Sequence, residues 1–228
     1  MKLFTLAFPV ATRAEEFLAA VGIAAPSKAV LLPGYSIAPE VLVQAAVPGL
    51  AEIFAEHEPL TEAERASLDA HVALVFLRGG VAKPSDLLEW NKLAKLFFAA
   101  GALGVYAEHS GAAFSKAAFE SFDLEALPLE PWLNYVETVK ELYTLGMEAL
   151  GFPDFCVSLG AGDRASLMDL LLSAASELFM GGGVPKSGEK LETDLGTFEL
   201  SAEPNLPFPK TAPEWNRLRA LRLVRRAG

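Results

Sequence analysis

The sequence predicts an α+β protein, a mixed β-sheet covered by amphipathic helices, and three of its features carry that prediction. Short apolar runs of strand length recur along the chain and end at glycine or proline. Segments between them open on capping signatures of the Thr-x-x-Glu type. Apolar residues within those segments recur at helical spacing. With 228 residues, 52% hydrophobic and 21% charged, the chain has enough apolar material for a sizeable core. Its 18 glycines and 15 prolines are scattered, which excludes collagenous and low-complexity classes.

Residues 2–8 alternate as a first strand, and Thr12-Arg13-Ala14-Glu15 reads as a capping box opening a helix that runs to Gly22. The single lysine and short apolar run of residues 1–11 imitate a signal peptide, but Thr5, Pro9 and the capping box favour a strand. Residues 29–32 predict a short strand ended by Pro33-Gly34. Residues 39–47 are ambiguous: Val41, Leu42 and Val43 favour a strand, Pro39-Glu40 a helix start.

Thr61-Glu62-Ala63-Glu64 opens a short helix leading into a strand at 71–77, closed by Gly79-Gly80. Ser85 caps a helix with Leu87, Trp90, Ala94 and Phe97 on one face, ending near Gly101. Val105-Tyr106 forms the next strand, His109-Ser110-Gly111 a loop, and 116–122 a helix. After the breaks at Pro128 and Pro131, residues 132–136 resume as a strand. A third capping box, Thr138-Val139-Lys140-Glu141, predicts a helix carrying Leu142, Gly146 and Leu150. A strand at 155–159 follows. Asp163 caps a long helix with the stripe Leu167, Leu171, Ala174 and Leu178, the polar Asp169, Ser173 and Glu177 opposite, and Gly181-Gly182-Gly183 as its stop. Residues 184–192 read as a mobile segment, 195–200 as a strand, 204–213 as an extended proline-rich connection, and 217–224 as a last strand or helix. A boundary near residue 60 is conceivable, but no linker composition marks it, so 1–228 is read as one domain.

A single cysteine, Cys156, cannot form an internal disulfide, and its apolar neighbours imply a buried, unreactive thiol, which fits a reducing, cytoplasmic setting. No apolar run approaches the length of a membrane span. The formal net charge of −10 argues against nucleic-acid binding, which needs an excess of cations. Charge is unevenly spread, however. Arg217, Arg219, Arg222, Arg225 and Arg226 crowd the last twelve residues, leaving 14 basic residues against 29 acidic ones in the rest. Such a body can steer a basic partner. The arginines either bind anions or form the solvated edge of a terminal strand, pairing with the acidic body.

His57, His71 and His109 lie far apart without metal-ligand spacing, so neither a metal site nor a cofactor is expected. Gly160-Ala161-Gly162-Asp163 lacks the further features of a phosphate loop and reads as a helix cap. The most chemical stretch is Tyr106-Ala107-Glu108-His109-Ser110, which sets an acid, a base and a hydroxyl at a strand end. Adjacent strand residues point to opposite faces, so Glu108 and His109 need not cooperate. Trp132 and Trp215 are candidate interface anchors, core residues otherwise.

Several segments together resemble a bacterial family, domain-of-unknown-function family 4261: Ala70-His71-Val72-Ala73, Ala102-Leu103-Gly104-Val105-Tyr106, Leu142-Tyr143-Thr144-Leu145-Gly146-Met147 followed by Phe152-Pro153, and the hairpin-like 191–200. The chain departs from it at Ala107, where relatives carry Trp, and at the apolar Phe155-Cys156-Val157. The resemblance implies no catalytic residues. Its relatives resemble components of neighbourhoods encoding toxin-immunity proteins, which implies a partner-binding role. The reading is a non-enzymatic cytosolic binding protein for a basic partner such as a toxin. The alternatives are a small hydrolase or transferase with a site near His109, or a small-ligand-binding protein.

Overall fold

A computed structural model describes residues 2–126, 128–181, 187–193, 196–203 and 206–225. The chain begins with β1 (Phe4–Val10), α1 (Ala14–Ala20), β2 (Glu40–Ala45), α2 (Leu50–Ala55), α3 (Glu62–Asp69), β3 (Ala73–Gly79), α4 (Pro84–Ala99), β4 (Gly104–Ala107), β5 (Ala112–Ser115) and α5 (Lys116–Ser121). These strands form an antiparallel sheet in the order β2-β3-β1-β4-β5. The antiparallel β3 lies between β1 and β2, and α4 leads to β4 on the far side of β1: a split βαβ arrangement with α2 and α3 inserted between β2 and β3.

Strand alternation explains why helices cover both faces of this sheet. Phe4, Leu6, Phe8 and Val10 join Ala73, Val75 and Leu77 in a core shared with α1 and α4, while Ala7, Leu74 and Phe76 pack with Leu50, Ala51, Phe54 and Leu68 of α2 and α3.

The chain continues with β6 (Asn134–Glu137), β7 (Glu141–Leu145), β8 (Asp154–Ser158), α6 (Arg164–Gly181), β9 (Lys190–Thr193), β10 (Gly196–Glu203) and β11 (Ala220–Arg225). The second sheet runs β6-β7-β8-β11-β10-β9, and β8 and β11 are its parallel pair. The fold is thus α+β, with one antiparallel and one mixed sheet. Leu142, Phe155, Val157, Phe198 and Leu223 enter the same apolar cluster as the first sheet, with Leu167, Leu171, Ala174 and Leu178 of α6 laid across them. Trp132 lies at the centre of that cluster, its ring 5.6 Å from Phe4 and 5.4 Å from Phe119, and its indole N–H donates to Asn91 Oδ1 at 2.6 Å.

Helix signals differ in outcome for local reasons. Thr61 and Glu64 form both bonds of a capping box. The Thr12 signature does not: Arg13 is the N-cap without a side-chain bond, and its guanidinium pairs with Glu16. The predicted helix after Thr138 is replaced by a turn and a strand. Thr138 N–H donates to Glu141 O at 2.8 Å and Thr138 Oγ1 accepts from Glu141 N–H at 3.1 Å, so the same side-chain bond that caps a helix closes the β6–β7 connection. Leu142 then faces the core and Tyr143 the opposite face, a period of two that β7 follows before Gly146 turns into a 3₁₀ segment at Met147–Leu150.

Residues 29–32 form no strand, since only Ser27 bridges to Val41 and Val30 N–H bonds Pro39 O. Residues 39–47 resolve to β2, and β5 was not foreseen. The last strand is internal rather than an edge, held between β8 and β10. Gly182, Gly183, 184–186, Leu195, Pro204 and Arg226 lie outside the described residues, while 190–193 of the supposed mobile segment form β9.

Two substitutions test this packing. Leu171→Ala is expected to lower stability by about 2–5 kcal/mol in denaturant unfolding, because Leu171 is fully buried in the α6 stripe. Gly146 has φ +120, and a Cβ there would lie 2.8 Å from Trp132 O and 3.0 Å from Ser110 Cβ. Gly146→Ala is therefore expected to be destabilising despite adding only a methyl group, whereas Gly151→Ala, which meets no atom within 4 Å, is expected to cost less.

Candidate functional site

The stretch 106–110 is divided by the sheet. Tyr106 and Glu108 point to the side covered by α2, where they line a pocket with Ala7, Leu74 and Phe76. His109 turns to the other side, stacks on Phe4 with centroids 4.3 Å apart, and is 6% exposed. Its Nδ1 lies 3.4 Å from Thr5 N and 3.3 Å from Thr5 O, so either tautomer finds a partner on the same residue. Burial lowers its pKa to about 4, keeping the imidazole neutral. Ser110, also buried, has its hydroxyl 3.5 Å from Ala107 O and accepts from Ala112 N–H. Glu108 and His109 are not brought together.

A separate group of buried polar residues gathers at the start of β8. Asp154 opens β8 there with its carboxylate enclosed. It accepts from Thr144 Oγ1 at 3.1 Å, Met147 N–H at 3.3 Å and Asn216 Nδ2 at 2.6 Å. Burial outweighs these bonds and raises its pKa to about 7. Glu148, equally buried, pairs with Arg217 Nε at 2.6 Å and accepts from the backbone N–H of Lys2 and Arg217. The sequence reading missed Glu148, Asp154 and Asn216. The available signal was a carboxylate or amide set among apolar residues with no turn chemistry to explain it.

Of the described terminal arginines, Arg217 and Arg222 pair with acids, while Arg219 and Arg225 contact an aromatic ring and a carbonyl. Arg222 pairs with Glu141 and, at 2.7 Å, with Glu203, across the outer face of the second sheet. Tyr143 donates to the same Glu141, and Cys156 lies beneath with its thiol pushed up to about 12, chiefly by burial. Arg219, at φ +73, lays its guanidinium 4.9 Å from the centroid of half-buried Trp215. Arg225 Nη1 donates to Ala161 O at 2.9 Å. Trp132, with 0% exposure, has no surface for a partner. The glycine loop is a helix cap: Asp163 Oδ1 accepts from Ser166 N–H at 3.1 Å.

An open trough of about 420 Å³ runs between α6 and β9. Asp169, Glu177 and Glu192 supply its charge, Ser166, Ser173 and Thr193 its hydroxyls, and Leu170 and Leu191 an apolar floor. The polar face of α6 was legible in sequence; Glu192 was not, because β9 fell in the segment read as mobile. Glu130 stands close enough to Asp169 for their charges to interact, and its pKa is raised by burial and then by that charge. Among the described residues, none of these four carboxylates forms an ion pair. No three described His, Cys, Asp or Glu side chains converge as a metal site, and no described helix is long and apolar enough to cross a membrane.

No family model, curated protein or solved structure matches the chain.

Asp154 and His109 make stability depend on pH in two opposed ways. Asp154 is raised above its unfolded value, so its contribution is present below about pH 4 and lost as pH rises through 7. His109 is depressed, so its contribution is present above about 6.5 and lost as pH falls through 4. The two slopes oppose each other between about pH 4 and 6.5. Replacing Asp154→Asn is expected to unmask the histidine: the stability of the wild type relative to the variant, read from urea midpoints, should shrink steadily as pH rises towards 7. A constant difference would refute the assignment.

Proposed function

We propose that the chain is a non-enzymatic binding protein acting in the cytoplasm, which docks a basic protein partner on the acidic trough beside α6 in the manner of an immunity protein. The observation that carries this reading is the unbalanced charge of the trough. Glu148, Glu141 and Glu203 each hold an arginine, whereas Asp169, Glu177 and Glu192 line the trough, with Glu130 near Asp169, and none of these four has an ion pair among the described residues. Carboxylates held together raise each other's cost, and an arriving lysine or arginine relieves it. The apolar floor at Leu170 and Leu191 gives an aliphatic stem something to cover.

The rival, a hydrolase or transferase near His109, is disfavoured by a buried neutral imidazole set on the opposite side of the sheet from Glu108.

The test is a partner isolated from native cytosol and measured by stopped flow. Association is expected to fall steeply with added salt while dissociation changes little. The triple change Asp169→Lys, Glu177→Lys, Glu192→Lys should slow association by about tenfold or more. Because burial and then the charge of Asp169 raise the pKa of Glu130, which stands near that trough residue, binding should begin to weaken on acidification sooner than an unperturbed carboxylate would dictate. An acidic partner, or association indifferent to the triple change, would refute the reading.

A further inference from the structure

The residues singled out by sequence and left unused by the trough, Tyr106 and Glu108, open onto a separate cavity on the first sheet. Its walls are Leu50 and Phe54 of α2, Leu74 and Phe76 of β3, and Ala7 of β1, and its volume is about 200 Å³. Phe54 cannot swing toward β4, because its ring already lies against Gly104, where even a Cβ would come within 2.5 Å of it. The walls are thus preformed. Ile53, 37% exposed, stands at the lining, so the cavity opens to solvent across an apolar lip.

Its polar lining is Gln44, Tyr106 and Glu108, so its charge is of one sign. Glu108 lines it, and the charges of both Glu108 and Glu56 act on the Tyr106 hydroxyl, raising its pKa together with burial. No lysine, arginine or histidine is among the lining residues, and neither Glu56 nor Glu108 forms an ion pair among the described residues. An apolar cavity with a few polar groups converging at one end is the form of a small-ligand site, and about 200 Å³ is below the roughly 300 Å³ at which drug-sized sites begin.

We infer that this cavity binds a small hydrophobic amine, a single ring or short chain held by Leu50, Phe54, Leu74 and Phe76, with its ammonium directed to Glu108 and the Tyr106 hydroxyl. The site is independent of the trough and its partner. The ammonium gains a charge-assisted bond to Glu108, and the aromatic faces of Phe76 and Tyr106 also attract a cation.

The test is titration of the ¹⁵N-labelled full chain with benzylammonium at neutral pH, with benzyl alcohol, benzoate and ammonium chloride as controls. Saturable amide shifts are expected at Leu50, Phe54, Leu74, Tyr106 and Glu108. Benzyl alcohol and benzoate should bind about tenfold more weakly or worse, and ammonium alone should not saturate. Glu108→Gln should weaken benzylammonium by about tenfold and leave benzyl alcohol unchanged; Tyr106→Phe should weaken it less. Glu108 is exposed and its fold contact is its backbone N–H to Thr5 O, so the variant's spectrum reports a retained fold. Shifts confined elsewhere, equal binding of the alcohol, or full affinity in Glu108→Gln would each overturn the inference. None of these outcomes bears on the trough, whose partner association Glu108→Gln should leave untouched.

Discussion

The carboxylate of Asp154 is enclosed at the start of β8 and has to be satisfied there, and much of the second sheet's geometry follows from how this is done. Its oxygens draw on the end of β7 through Thr144, the 3₁₀ segment through Met147 and the approach to β11 through Asn216. The backbone N–H of Asp154 bonds Arg219 O, one residue before β11 begins. Apolar alternation alone would permit β11 to slip by two residues and still bury Leu221 and Leu223. Such a slip would take Asn216 away from the buried carboxylate, at a cost of about 1–3 kcal/mol. This polar group therefore sets the register, and the apolar face supplies the bulk of the stabilisation.

What could be read from the sequence follows the range of the interaction responsible. The stripe of α6, the box at Thr61 and the strand at β3 depend on residues within one or two turns, and all three are found. The Thr138 signature depends on such local contacts too, yet it is shared by a helix start and a tight turn, and only the alternation of Leu142 and Tyr143 between two faces distinguishes them. Nothing local marks β11 as internal, because its neighbours come from residues 154–157 and 198–203. The candidate sites show the same division. Tyr106 and Glu108 were legible as a polar strand end, and the acids of α6 as its polar face. That the first pair opens onto Phe54, and the second faces Glu192, is a consequence of tertiary placement.

Charge is handled differently in the two halves of the second sheet. On its outer face Arg222 lies between Glu141 and Glu203, with Tyr143 completing the set, so this arginine of the basic end is neutralised by acids of the body. Along the trough face of α6, Asp169 and Glu177 have no such compensation among the described residues. Pairing Arg217 and Arg222 with acids of the body thus leaves the carboxylates of the trough as a directional part of the net charge of −10.

The position of β11 also has a kinetic side. The first sheet draws on residues up to Ser115, and its longest-range pairing, β1 with β4, can form once those residues are present. The centre of the second sheet pairs Asp154 with Ala220, a contact spanning a long excursion through α6 and the β9–β10 hairpin. Loop closure of that length comes late, and parallel pairing of distant strands is intrinsically slow. Until Ala220–Arg225 inserts, β8 and β10 each present an unpaired edge, with Phe155 and Phe198 on the apolar side. Folding intermediates with a finished first sheet and an open second one would be the species prone to associate with one another, so the strand that completes the molecule also closes its most exposed route to aggregation.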